Sequence, residues 1–228
     1  QLIDTALPML RRITGERIRN ELTLMLREAD PAGAFLALQA RGILQAIHPE
    51  FLVPDNLKEG FDRSTLPLPW TMEVPDPIDL RWCLLLENVP LIELASLCER
   101  LLFSKTLANA ILATAKLIQH SHSERAPSQI VARLDGISDL ALFAAWLTLG
   151  ESIARTQIQE YAETWRRVRP KTDGRVLQAR GLNPGPCYST ILARLRSARL
   201  DGEISSDAEE ERLLESLLEG GICDDGAR

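Results

Sequence analysis

No apolar run approaches the roughly 18 residues needed to span a bilayer, so no membrane segment is expected. Aromatic residues make up only 5% of the chain and β-branched residues are sparse beside Leu, Ala, Arg and Glu, a balance that favours helices over strands. The four cysteines (Cys83, Cys98, Cys187, Cys223) lie far apart, with no C-x-x-C pair and no histidine at ligand spacing. Neither a zinc site nor a disulfide scaffold is expected, and a reducing compartment is the default. Of the three histidines, His120 and His122 with Glu124 have the wrong spacing for a metal pair. Residues i and i+2 of a helix point to different faces, whereas helix-borne zinc pairs use i and i+4. No P-loop, no G-x-G turn after a strand-like run, no Ser-His-Asp order and no adjacent carboxylate pair on an evident strand occurs, so the chain shows no reaction centre. It opens on Gln1 without a basic-then-apolar leader, from which a cytoplasmic location and a start inside a longer reading frame are expected.

What remains is a chain of 228 residues, 45% hydrophobic and 25% charged, long enough for one large domain or two smaller ones. Thr14 reads as an N-cap, Glu16 sits where the helix dipole favours an anion, and Ile18, Leu22, Met25 and Leu26 form one apolar stripe. Asp30-Pro31 repeats the start signal, and Gly42 supplies a left-handed stop. Between Pro49 and Pro77 the prolines break any regular pattern, which predicts a long irregular connection joining two subdomains. Helical spacings resume around Ile78 and run through Arg81 to Leu86, Leu91 to Leu102 and Thr106 to Gln119. Pro127-Ser128 opens a helix ended by Gly136, Ser138 opens one ended by Gly150, and Glu151 to Arg167 reads as a longer helix.

Charge is distributed unevenly. The formal net charge is -6, yet between Trp165 and Arg199 the basic residues Arg166, Arg167, Arg169, Lys171, Arg175, Arg180, Arg194, Arg196 and Arg199 are opposed only by Asp173. An acidic stretch from Asp201 to Asp225 follows. Phosphate binding depends on local potential within a Debye length of about 8–10 Å, so a positive segment suits a nucleic acid despite the total. Five phosphate contacts would give a slope of log affinity on log salt of about -4. The competing expectation is a basic face neutralised by the acidic stretch beside it. Gly181-Leu182-Asn183-Pro184-Gly185-Pro186 predicts a tight turn feeding a helix whose free amide groups either hold a phosphate near Gly185 or simply start a connector helix.

Several ordered segments resemble one family. T-G-E-R-I-R-N-E-L at Thr14 to Leu22 resembles the neck helix of class II tRNA nucleotidyltransferases, the family of CCA-adding enzymes and bacterial poly(A) polymerases. Gly42-Ile43-Leu44, Ile47 and Pro49-Glu50 look like its following segment. P-S-Q-I-V-A-R-L-D-G at Pro127 to Gly136 and W-R-R-V-R-P at Trp165 to Pro170 resemble body segments, and the turn at Gly181 to Pro186 with the helix after it resembles the tail.

The resemblance implies an all-α fold, elongated rather than one bundle, with neck-like helices over 1–50, a connection over 51–77, a helical body over 78–168 and a tail over 169–228. It implies a tRNA-binding region of an enzyme that adds CCA or poly(A), with the acceptor stem and T arm of tRNA held through phosphates and 2′-hydroxyls. The family's catalytic head, with its Asp-x-Asp pair, magnesium ions and CTP or ATP, is expected upstream, so this chain alone should be inactive and hold no cofactor. The basic residues above, with Gly185, are the expected RNA contacts; Glu16, Arg17 and Glu21 would buttress the nucleotide-reading helix of that missing domain. An α-helical protein-interaction scaffold without an RNA role is the alternative reading.

Overall fold

The computed structural model describes residues 7–65, 67–120 and 126–220. Thirteen α-helices and no strand occur among them. They are α1 (Gly15–Met25), α2 (Pro31–Ala40), α3 (Ile43–Ile47), α4 (Leu57–Arg63), α5 (Pro77–Leu85), α6 (Leu91–Arg100), α7 (Lys105–Gln119), α8 (Pro127–Leu134), α9 (Asp139–Thr148), α10 (Ile153–Glu163), α11 (Gly174–Ala179), α12 (Pro186–Leu200) and α13 (Asp207–Glu219). No described helix is long and apolar enough to cross a membrane. The chain divides into two compact units, residues 1–123 with 136–158, and residues 124–135 with 159–228. The chain passes between the units at 123/124, at 135/136 and, within α10, at 158/159.

In the first unit α9 is buried from Ala141 through Leu147 and packs on α5 and α7. A run with no polar face has to be covered on all sides. The starts follow local chemistry: Thr14, Asp30, Asp76, Ser104 and Ser138 accept hydrogen bonds from the first free amides of α1, α2, α5, α7 and α9. Gly42 adopts φ 69°, ending α2 as expected.

The α1 helix buries Ile18, Leu22 and Leu26 and presses its first turn against α6. A Cβ on Gly15 would sit 1.7 Å from the Arg100 carbonyl oxygen, so only glycine permits this approach. Arginines then satisfy carbonyls left open at turns and helix ends. Arg100 Nη2 donates to Ile13 O at 3.0 Å, Arg19 to the Leu102 carbonyl, and Arg81 to that of Leu26.

The proline-rich stretch differs from expectation. It holds α4 and sends Phe51, Val53, Leu57, Phe61 and Trp70 into the core of the first unit. Trp70 packs edge-on against Phe143 and Trp146, each at 6.1 Å between centroids. The prolines interrupt helical periodicity but leave apolar side chains free to be buried between them. The helix expected over 151–167 is also shorter, because the chain leaves α10 at Glu163 for a separate 3₁₀ turn at Trp165–Arg167.

Glu87, 3% exposed, follows α5 and accepts a hydrogen bond from the Thr148 hydroxyl. Burial raises its pKa to about 7, and the Thr148 bond only partly offsets that.

The second unit closes on Leu177, Ile191, Leu195 and Leu214, contributed by α11, α12 and α13. The α12 helix also packs on α8. The α8–α12 packing is fixed by polar ties: Arg196 Nη1 to Asp135 at 2.5 Å, and the Ser128 amide and hydroxyl to Asp201 at 2.8 and 2.6 Å. Ser206 and Glu209 form a capping box at the start of α13. One turn later Glu210, 2% exposed, accepts from the amides of Thr172 (2.7 Å) and Lys171 (3.2 Å) and from Arg199 Nε. Burial alone would push its pKa up, but these donors outweigh that and the net shift is down. Cys83 and Cys98 are free and buried.

Two stability outcomes follow. Between about pH 4.5 and 7 folded Glu87 binds more proton than the unfolded chain, so its contribution falls as pH rises through that window. Glu87→Gln is therefore expected to gain up to about 3 kcal/mol at pH 8 relative to the parent and nothing at pH 4, read by urea unfolding at the two pH values. Glu210 acts in the opposite sense: its depressed pKa supplies stability above the unfolded carboxylate range that is lost on acidification. Glu210→Ala should cost about 2–4 kcal/mol in the same assay at pH 7, because it orphans two amides and leaves Arg199 Nε without its acceptor. Exposed Glu215→Ala on the same helix should change stability by less than about 0.5 kcal/mol.

Candidate nucleic-acid interface

The basic segment falls entirely in the second unit, but its charges are not bare. Lys171 Nζ lies 2.8 Å from Asp207, Arg194 lies 2.6 Å from Glu203, and Arg196 binds Asp135. Arg180 pairs with Glu211. Arg199 reaches Asp207 at 2.8 Å while its Nε serves Glu210. At Lys171, Arg180, Arg194 and Arg199 the acidic stretch neutralises the basic one, as the competing expectation had it. Most of these partly exposed pairs contribute little to stability, yet each cancels a charge that a phosphate would otherwise meet. Hydrogen bonds from Lys171 and Arg199 hold Asp207 below its ordinary pKa, so the carboxylate stays ionised and the neutralisation persists at mildly acidic pH.

Three of the expected cations keep no carboxylate partner among the described residues. Arg167 ends the 3₁₀ turn and is exposed, and Arg175 is exposed on the first turn of α11. Arg169 is exposed with its Nη1 folded back on the carbonyls of Arg166 (2.8 Å) and Val168 (2.9 Å). Arg166 lies half-buried in the same turn. Gly185 is the exposed N-cap of α12 and makes no side-chain cap; Pro186 has no N–H to offer, and the Tyr188 amide donates to the Gly185 carbonyl at 3.0 Å. Its φ of 178° is extended backbone.

Beside this edge lies a cavity of about 480 Å³ lined by Arg169, Thr172, Asp173, Leu192, Ala193 and Arg196, among others. Asp173 Oδ1 caps α11 through the amides of Arg175 and Val176. Arg196 Nη2 is buried and finds no acceptor.

In the first unit, Glu16 lies 3.9 Å from Arg19. Arg17 and Glu21 are exposed and have no side-chain partner among the described residues. With Leu24, 57% exposed, they line one open face of α1 at spacings of four and three residues. Sequence reasoning missed Asp135, Glu203, Asp207, Glu210 and Glu211 as partners of individual cations. The Ser206-x-x-Glu209 signature could have placed α13, and hence the face carrying Asp207, Glu210 and Glu211. The His120-Ser121-His122 segment with Glu124 lies, from residue 121 to 125, outside the described residues.

The profile of a family described as "Probable RNA and SrmB- binding site of polymerase A" matches residues 1–53, at the opposite end of the sequence from the arginines. A curated A-adding tRNA nucleotidyltransferase of Geobacter sulfurreducens is 25% identical over 237 residues, covering 96% of this chain and 27% of the relative. The Thermotoga maritima CCA-adding enzyme complexed with tRNA superposes with a TM-score of 0.66 at 18% identity, over 92% of this chain and 53% of that one. A CCA-adding enzyme in complex with ATP gives 0.67 at 20% identity, over 95% and 54%. At such identity the structural likeness is one of fold. This chain therefore spans only part of each relative. Profile, curated relative and fold agree in what this chain is similar to: part of tRNA nucleotidyltransferases and of the related polymerase A family.

Proposed function

We propose that this chain holds tRNA for an enzyme that matures or extends tRNA 3′ ends, and that nucleotide transfer belongs to a separate head domain. The observation that carries the reading is the 25% identity to an A-adding tRNA nucleotidyltransferase along 96% of the chain. The absence of a nucleotide-binding or paired-carboxylate motif from the sequence supports the division of labour. Magnesium and CTP or ATP would be bound by the head. The open face of α1 that carries Arg17, Glu21 and Leu24 is where that head would rest. Neck, body and tail then describe roles within the parent enzyme, while the compact units describe how the chain packs.

Among the basic residues, Arg167, Arg169 and Arg175 are the contacts proposed for the RNA backbone. Lys171, Arg180, Arg194, Arg196 and Arg199 serve the fold through their carboxylate partners. Shape recognition suits so short a list of cations, because an A-form stem is read mainly through its phosphates and 2′-hydroxyls.

Titration of tRNA at rising salt tests this. Three phosphate contacts give a slope of log affinity on log salt of about -2 to -3, shallower than the value for five. Reversing Arg167, Arg169 and Arg175 to Glu together should remove most of that slope and weaken binding at least about tenfold. Salt-independent association, or a triple variant that binds as tightly as the parent, would refute the assignment.

A further inference from the structure

We infer that the cavity beside α12 is a pocket for one unstacked nucleobase of the bound RNA, and this rests on the RNA-binding reading above. Its chemistry fits a base better than a phosphate. Leu192, Ala193 and Pro170 give it apolar walls, and its volume of about 480 Å³ falls within the range of small-molecule sites. A flat, aromatic ring gains from such walls; a phosphate does not.

The polar groups at the rim narrow the choice. Asp173 spends Oδ1 on the α11 amides, and Oδ2 has no hydrogen-bond donor among the described residues. A carboxylate oxygen at the edge of a pocket repels a phosphate but accepts from an amine or ring N–H. Arg196 contributes the opposite partner. Its Nε and Nη1 are committed to Val168 O and Asp135, while Nη2 is buried without an acceptor. It is the only buried side-chain donor left unmatched among the described residues of the second unit. An orphaned donor is costly, and a small shift of the guanidinium would let a base carbonyl or ring nitrogen satisfy it. Arg169, exposed at the rim, has a planar guanidinium whose face can stack on a base while its edge still meets a backbone phosphate. Acceptor, donor and stacking plane together describe a base carrying an exocyclic amine next to a ring nitrogen or carbonyl. The neighbouring cations Arg167 and Arg175 would hold the phosphates on either side.

Filling the pocket is the test. Ala193 is exposed on α12, so Ala193→Trp blocks the cavity without entering the core. Asp173→Asn provides a second probe, because asparagine caps a helix as well as aspartate does and alters only the rim chemistry. The full chain and both variants are titrated with an intact tRNA and with a blunt RNA duplex that has no unpaired base, with helicity checked by circular dichroism.

One stacked base is worth at least about a fivefold change in affinity. Ala193→Trp and Asp173→Asn should each weaken tRNA binding by that factor while duplex binding stays at the parent level. If Ala193→Trp binds tRNA like the parent, or if tRNA and duplex weaken equally, the pocket is not a base site. Should reversal of Arg167, Arg169 and Arg175 still abolish tRNA binding in that case, only the pocket assignment falls. Failure of the parent chain to bind tRNA at all overturns the pocket and the RNA-binding reading together.

Discussion

The second unit depends on one buried carboxylate. Glu210 gathers the amides of Lys171 and Thr172 and the guanidinium of Arg199 around a side chain that is 2% exposed. An anion so placed is stable only because every donor is present, and it draws α13 against α12 and the loop before α11. Once α13 is docked, Asp207 and Glu211 necessarily meet Lys171, Arg199 and Arg180. The contact that builds the fold therefore also decides which cations remain for a ligand.

This bears on the conflict between composition and the proposed role. A sequence with a strongly basic segment followed by a strongly acidic one can be read as a groove beside a free tail, or as two segments that neutralise each other. The structure takes the second course for Lys171, Arg180, Arg194 and Arg199, while Arg196 is met by Asp135 from α8. Likeness to tRNA nucleotidyltransferases then has to be reconciled with few bare charges, and the proposed division between Arg167, Arg169, Arg175 and an apolar pocket does so.

Local chemistry was legible in the sequence. Caps at Thr14, Asp30 and Ser138 and the left-handed glycines Gly42, Gly136 and Gly150 punctuate helices where the rules place them. The core role of Phe51, Phe61 and Trp70 was not legible, because prolines erase the periodicity that marks a buried face and leave only tertiary packing to recruit those side chains. The candidate site was legible as a segment but not as individual contacts. Nothing local to Arg180 announces Glu211, since ion pairing across helices depends on how α11, α12 and α13 come together. The pocket beside α12 is likewise formed by residues from separate segments, and no motif spans Arg169, Asp173 and Ala193.

The tight seat of Gly15 against Arg100 has a mechanical implication. With no side chain between the start of α1 and the end of α6, the two backbones touch directly. A load applied to the outer face of α1 would pass into the first unit with little compliance, so α1 can serve as a rigid lever rather than a hinge for whatever rests on it.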